Sequence, residues 1–306
     1  MIAIAMLAEL ESMTGKTCPE LFDMVAGTST GAIIAAGIAM GMSAQELLVK
    51  VYRKRLPEAF SSQPRGLFLY ARYLLGGLRN LYDLQPFVEA LGPFGTGKKI
   101  RDFDKPILFL TTKDVRTDKT YFVVSRGPGA QAFGDWPLVG SVAASGAAPV
   151  FFPPVLGKLI DGGVGAYGNP CLAASIEALE YIGADGGFVD GNVIHMSLGT
   201  GFNPNSLADG ASQHFWLYNW VRYLIFIGLE DAGLEQVFNT RAIYGHRIDF
   251  RRYNPLLTAE SVGDILGVAL AGKPDPAELG LDSFKRDQVN LMEDIGRAIV
   301  KIRESS

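Results

Sequence analysis

An apolar segment that passes through a glycine-bounded serine straight into a second apolar segment constrains this chain more than any other feature. It reads Phe22-Asp23-Met24-Val25-Ala26-Gly27-Thr28-Ser29-Thr30-Gly31 and continues apolar to Met40. The pattern predicts a strand over 21–26 and a buried helix over 31–40, joined by a G-x-S-x-G turn. A turn that abrupt crowds its flanking positions, which gives Gly27 and Gly31 a steric role and leaves Ser29 in a strained conformation with its hydroxyl exposed. Backbone N–H groups at the start of the helix, Thr30 among them, point to where an acyl oxyanion would form, and the helix dipole favours negative charge there. In a chain with 36 glycines the five-residue motif alone is weak. Its strand-turn-helix setting is what makes Ser29 a candidate nucleophile.

A hydroxyl nucleophile needs a base. Gly157-Lys158-Leu159-Ile160-Asp161-Gly162-Gly163 reads as a short strand over 158–161 that ends in Asp-Gly-Gly. A desolvated Asp161 at a strand end could take the serine proton directly; an Asp-Gly turn that merely closes the strand is the other reading, and on these residues alone the turn is preferred. The three histidines are His195, His214 and His246. Ser29, Asp161 and His246 follow the chain order of an α/β-hydrolase triad, whereas His195 sits in an apolar strand pattern and His214 and His246 have surface-like neighbours. Gly92–Lys99 falls short of a phosphate-binding loop, because Lys99 stands where Ser or Thr would hold magnesium and no strand precedes it.

Further strands are predicted at 106–112, 120–124 and 192–198, interleaved with helices at 2–13, 43–55, 83–91, 170–182 and 284–303. That alternation predicts an α/β fold, a three-layer α/β/α sandwich with a mostly parallel sheet, as a single domain over 1–306 whose residues 256–306 form a C-terminal helical extension. A formal charge of −4 without a basic run argues against a nucleic-acid partner. Cys18 and Cys171 signal neither a disulfide framework nor a thiolate metal site, so a reducing, cytoplasmic setting is expected. The apolar N-terminus lacks a basic leader and a cleavage site and reads as a helix, and no apolar run reaches the roughly 20 residues that span a bilayer. Two aromatic-rich stretches, 66–82 and 215–229, mix large apolar residues with arginine. They make peripheral membrane contact an expectation, beside the reading that they pack in the core.

Taken together, four segments resemble the patatin-like phospholipases. They are GTSTG at 27–31, the run Val142–Pro154 (VAASGAAPVFFPP), DGGVGAYGNP at 161–170, and MSLGTG at 196–201. The resemblance covers roughly residues 1–255, and it implies a patatin-like fold with a Ser29–Asp161 dyad and no histidine. It further implies that Ser29 attacks the ester carbonyl of a phospholipid or other acyl-ester lipid while Asp161 accepts its proton and later activates water. A fatty acid is then released with neither metal nor cofactor. The turn glycines Gly162 and Gly163 and a partial oxyanion donor at Thr30 go with that reading. Members of the family also carry, upstream of the first helix, a strand and an Asp-Gly-Gly-Gly-x-Arg-Gly oxyanion loop that this sequence does not contain. A start assigned too far downstream is the expectation here, with truncation and an inactive relative as the other readings. The competing function is a catalytically impaired lipid-binding or scaffold protein.

Overall fold

The computed structural model describes residues 1–60, 80, 82–203, 210–270, 272–279, 283 and 285–304. Helix α1 (Ile2–Thr14) buries Ile2, Ile4, Met6 and Leu7 and stops at Gly15, whose left-handed φ of 67° caps the helix. Thr17 and Glu20 then form a capping box around Pro19, so Cys18–Leu21 coils into one helical turn. For that reason the strand predicted from Leu21 begins only at Met24, as β1 (Met24–Gly27). Helix α2 (Thr30–Ala39) follows without a linker and is buried on Ala32, Ile33, Ala35, Ala36 and Ile38.

Strand β2 (Ile107–Asp114) is the organising element of a four-stranded sheet. β1 lies parallel to it, with Met24 opposite Ile107 and Gly27 opposite Leu110. β3 (Lys119–Val124) pairs antiparallel along Phe109 to Asp114. Helix α3 (Leu138–Gly146) packs against α2 and β2 and leads to β4 (Leu159–Asp161), which is antiparallel to β2 with Asp161 opposite Thr112. Because β3 occupies one edge of β2 over 109–114, β1 and β4 share the other edge, end to end. They run toward each other, and their C-terminal ends meet on either side of Thr111. This head-on arrangement of two strands positions the site.

Beyond β4, helix α4 (Cys171–Ile176) runs into a π-helical stretch to Ile182. β5 (Val193–Leu198) pairs in parallel with β6 (Ile248–Tyr253), and the helix between them is α5 (Leu217–Tyr244). α5 packs on the turn Gly163–Tyr167 that follows Asp161. α6 (Ala259–Leu266) and α7 (Arg286–Glu304) close the described chain, and α7 lies along α1. With parallel pairings at β1/β2 and β5/β6, antiparallel ones at β2/β3 and β2/β4, and helices packed on them, the fold is an α/β sandwich.

The helix expected over 43–55 is split into Ala44–Leu47 and a π-helical stretch over Leu48–Tyr52. β6 has no counterpart among the predicted strands, because Asp249, Arg251 and Arg252 break its apolar run. Of the stretch at 66–82, only Asn80 and Tyr82 fall within the described residues. The stretch at 215–229 enters α5, and its Trp216 is 81% exposed. Among the described residues no helix is long and apolar enough to cross a membrane.

Candidate active site

Ser29 stands between the last residue of β1 and the first of α2, with φ 57° and ψ −126°. No relaxed L-residue prefers that conformation, so the fold on both sides must hold it. Gly27 is compulsory: a Cβ there would lie 2.1 Å from the carbonyl oxygen of Gly31 and 2.7 Å from the amide of Ala32. Gly31 differs from the expectation. Its φ is not positive and a Cβ would meet nothing within 4 Å, because the crowding comes from Gly31's own carbonyl folding back over Gly27.

Four groups distant in sequence hold the elbow. The Ser29 N–H donates to Ser145 Oγ at 3.0 Å, from the buried face of α3. The Thr28 hydroxyl donates to the carbonyl of Tyr167 at 2.7 Å. Its one proton is thereby used, so in the 2.7 Å contact between Thr28 Oγ1 and Thr111 Oγ1 the donor is Thr111. Tyr52 donates its hydroxyl to the carbonyl of Thr30 at 2.7 Å. The N–H of Thr30 lies in the first turn of α2, where no intrahelical carbonyl can accept it, and is therefore available to an oxyanion.

Asp161 is 6% exposed, and its carboxyl lies close enough to the Ser29 side chain to be influenced by it. Gly163 N–H donates to its Oδ1 at 2.8 Å, and its own N–H donates to the carbonyl of Ala147 at 3.0 Å. Burial pushes the carboxyl up from 3.8 to about 6, against the pull of the Ser29 side chain and the Gly163 N–H, which favour the carboxylate. Gly162 has to lack a side chain, since a Cβ would stand 2.1 Å from Thr111 Oγ1. Thr111 thus touches both halves of the site, through Thr28 on one side and Gly162 on the other.

Among the described residues no histidine bonds to Ser29 or Asp161. His195 is half-buried beside Phe250, with Nδ1 2.9 Å from Ser175 Oγ, and desolvation lowers its pKa to about 4. His214 and His246 are exposed. Lys99 is ion-paired with Asp135 at 2.9 Å, and Gly92–Phe94 is a single 3₁₀ turn, so the phosphate-loop near miss is an ordinary loop. Cys18 and Cys171 are free and buried. Among the described residues no group of three or more His, Cys, Asp or Glu is placed to hold a metal ion.

Ser29, Thr30, Asp161, Gly162 and Gly163 were all marked in the sequence; Ser145, Thr28 and Thr111 were not. The one local signal for Ser145 and Thr111 is polarity inside apolar segments, Ala-Ala-Ser-Gly-Ala and Phe-Leu-Thr-Thr. Chemically, the site joins a strained primary hydroxyl to an enclosed carboxylate whose proton affinity is raised toward neutrality, beside the N-terminus of a helix. Such a pair can deliver an alkoxide-like oxygen to an electrophilic carbonyl and store the proton.

The family model described as Patatin-like phospholipase matches residues 2–196. The chain is 26% identical to the "cGAMP-activated phospholipase" of Vibrio cholerae serotype O1 over 294 residues, 87% of this chain and 81% of that protein. It is 30% identical to the "85/88 kDa calcium-independent phospholipase A2" of Mus musculus over 230 residues, 67% of this chain and 26% of the relative. With "Patatin-2-Kuras 4" of Solanum tuberosum it shares 24% identity over 240 residues, 72% of this chain and 62% of the relative.

Proposed function

Because the chain belongs to the patatin-like phospholipase family, we propose that it is a lipid acyl hydrolase in which Ser29 is the nucleophile and Asp161 the sole protein base. The observation that carries the reading is the juxtaposition of the strained Ser29 with the desolvated Asp161 carboxyl where the ends of β1 and β4 meet, with no histidine bonded to either among the described residues. In this reading Asp161 takes the Ser29 proton as Oγ adds to the ester carbonyl, and the Thr30 N–H faces the developing oxyanion. The proton passes to the departing alcohol. Asp161 then draws a proton from water, and the acyl-serine is hydrolysed to a fatty acid. Phospholipids are the substrates the family and its relatives' names point to, at the level of the acyl ester.

A second reading follows from one feature of the elbow. The Ser29 N–H, a natural oxyanion donor, is already spent on Ser145. A site with Thr30 as its principal donor could be acylated slowly or not at all and serve lipid binding instead. Since losing one oxyanion donor costs about 10²–10³ in kcat, the two readings separate experimentally.

The test is hydrolysis of a short-chain nitrophenyl ester and of vesicle phospholipid, run with and without cGAMP because the Vibrio cholerae relative is named as cGAMP-activated. Ser29→Ala and Asp161→Asn should each lower kcat/KM on the order of 10³-fold or more, and His246→Ala should leave it unchanged. A parent protein inactive on both substrates under both conditions, yet retaining phospholipid vesicles, would establish the lipid-binding reading. Full activity in Asp161→Asn would remove the dyad.

A further inference from the structure

The chain Val155-Leu156-Gly157-Lys158 closes a tight hairpin just before β4. Val155 and Leu159 bridge each other, and the Lys158 N–H donates to the carbonyl of Val155 at 3.1 Å. Both central residues have positive φ, 52° at Leu156 and 68° at Gly157, the pattern of a type I′ turn. Gly157 suits its position. Leu156 does not: the first central position of this turn is dominated by Asn, Asp and Gly, which tolerate left-handed backbone, and a leucine there is strained. Leu156 is also 82% exposed, so no packing repays the strain. Folding alone has no use for this residue.

What surrounds Leu156 gives it one. The Val115 N–H donates to the carbonyl of Lys158 at 2.9 Å, which sets the β2–β3 turn against the hairpin, and Val115 is itself 48% exposed. Lys119 and Leu159 flank Asp114 from the two neighbouring strands. This end of the sheet therefore gathers four cations, Lys113, Arg116, Lys119 and Lys158, against two carboxylates, Asp114 and Asp118. Arg116 pairs with Asp114 at 2.9 Å and Lys113 with Asp118 at 2.8 Å, whereas Lys119 and Lys158 pair with no described residue. A locally positive tip on a chain of net charge −4 is a distinct feature. It is also wired to the site: β4 runs from the hairpin directly to Asp161, and Lys113 Nζ lies 3.8 Å from where a Cβ on Gly165, in the turn after Asp161, would stand.

We infer that this tip, with Leu156 and Val115 as apolar knobs and Lys119 and Lys158 as a cationic collar, docks the protein on an anionic lipid surface. Aliphatic side chains enter the acyl boundary while lysines meet headgroup phosphates, the pairing that gives reversible peripheral attachment. The choice of a bilayer over other occupants rests on the proposed lipid acyl hydrolase, whose substrate lies in one. The docking itself is read without any hydrolysis.

The experiment is co-sedimentation with phosphatidylcholine vesicles and with vesicles of equal parts phosphatidylcholine and phosphatidylglycerol, in a Ser29→Ala background that spares the lipid. Binding is expected on the anionic vesicles, weakened by salt as the charges are screened. The double variant Lys119→Glu/Lys158→Glu should bind at least about tenfold less, at about 1 kcal/mol for each cation at the surface. Leu156→Asn should also lose binding, by several-fold, while its Tm holds or rises because asparagine accepts the left-handed turn. That opposite movement of stability and binding is what a structural role could not produce. In an otherwise unaltered protein, Leu156→Asn should hydrolyse a soluble short-chain ester as the parent does and vesicle phospholipid less. Binding of both variants equal to the parent overturns the proposal. So does a parent that ignores both vesicles; if Leu156→Asn then dissolves a dimer seen by analytical ultracentrifugation, the tip belongs to a second copy of the chain. An inactive parent that still binds through the tip would sink the hydrolase reading and leave the docking intact.

Discussion

At the scale of single residues the site is a set of steric and protonic necessities, and each can be put to a number. Gly27→Ala would force a methyl group to 2.1 Å from the Gly31 carbonyl, so the elbow must open. A loss of at least about 3 kcal/mol by denaturant unfolding is expected, together with loss of activity. Gly31→Ala meets open space in the first turn of a helix and should keep the fold, gaining up to about 1 kcal/mol. Asp161 has its own signature in pH. Its folded pKa of about 6 lies above the ordinary 3.8, so the native state holds this proton more tightly than the unfolded chain. Its contribution to stability is full below 3.8 and is lost as pH rises to about 6, roughly 3 kcal/mol in all. His195, lowered to about 4, opposes it by losing stability as pH falls from 6.5 toward that value. The Asp161 effect is therefore read as the stability of the parent minus that of Asp161→Asn, which should fall by up to about 3 kcal/mol from pH 4 to pH 6. Activity has the reverse slope: kcat/KM should rise through pH 6 as the base ionises, and a flat profile there would remove Asp161 from that role. In Ser29→Ala the carboxylate loses one donor, and its titration, followed by carboxyl NMR, should move upward.

At the scale of elements the decisive feature is that β1 and β4 share one edge of β2 and end at each other. Ser29 and Asp161, far apart in sequence, are neighbours because both strands stop at Thr111. Thr111→Val removes the proton donated to Thr28 and leaves that oxygen less satisfied in a buried place, at a cost of about 1–2 kcal/mol. Its kcat should fall more than its KM rises, since the change loosens the elbow and not the lipid site, and Thr111→Ser should restore both. Ser145→Ala leaves the Ser29 N–H without its acceptor. That N–H would then be free to face an oxyanion, so the variant separates two effects: higher kcat means that Ser145 withholds a donor, and lower kcat means that it positions the nucleophile. Polarity inside an apolar segment is the one local mark of Thr111 and Ser145 and does not reveal their partners, which lie 83 and 116 residues away.

For the molecule as a whole, α7 closes against α1, with Ile295 and Ile299 on Ile2 and Met6. Buried Glu9 receives Arg297 at 3.2 Å and Lys301 at 3.1 Å. Gly296 permits the contact, since a Cβ there would come within 2.5 Å of the Ile2 carbonyl. Gly296→Ala should lower stability by about 1–3 kcal/mol and leave kcat nearly unchanged at low temperature, because the pair lies away from the elbow. Much of this architecture was legible in advance where the signal is local. The helix-strand-turn-helix opening, the Asp-Gly-Gly strand end and most strand positions follow from periodicity and turn chemistry within a dozen residues. The signal failed where context overrode it. A capping box took Leu21 out of the strand, charge concealed β6, and Gly31 proved free where the local motif required a glycine. The sequence by itself determined the strand–turn–helix around Ser29, the strand end at Asp161 and the α/β class, since each depends on neighbours along the chain. Only the tertiary structure decided that the carboxyl lies beside the serine, that it is buried with its proton affinity raised, and that a strained leucine stands exposed among cations at the end of the sheet. Those depend on pairing register and burial, which arise when distant segments exclude water together.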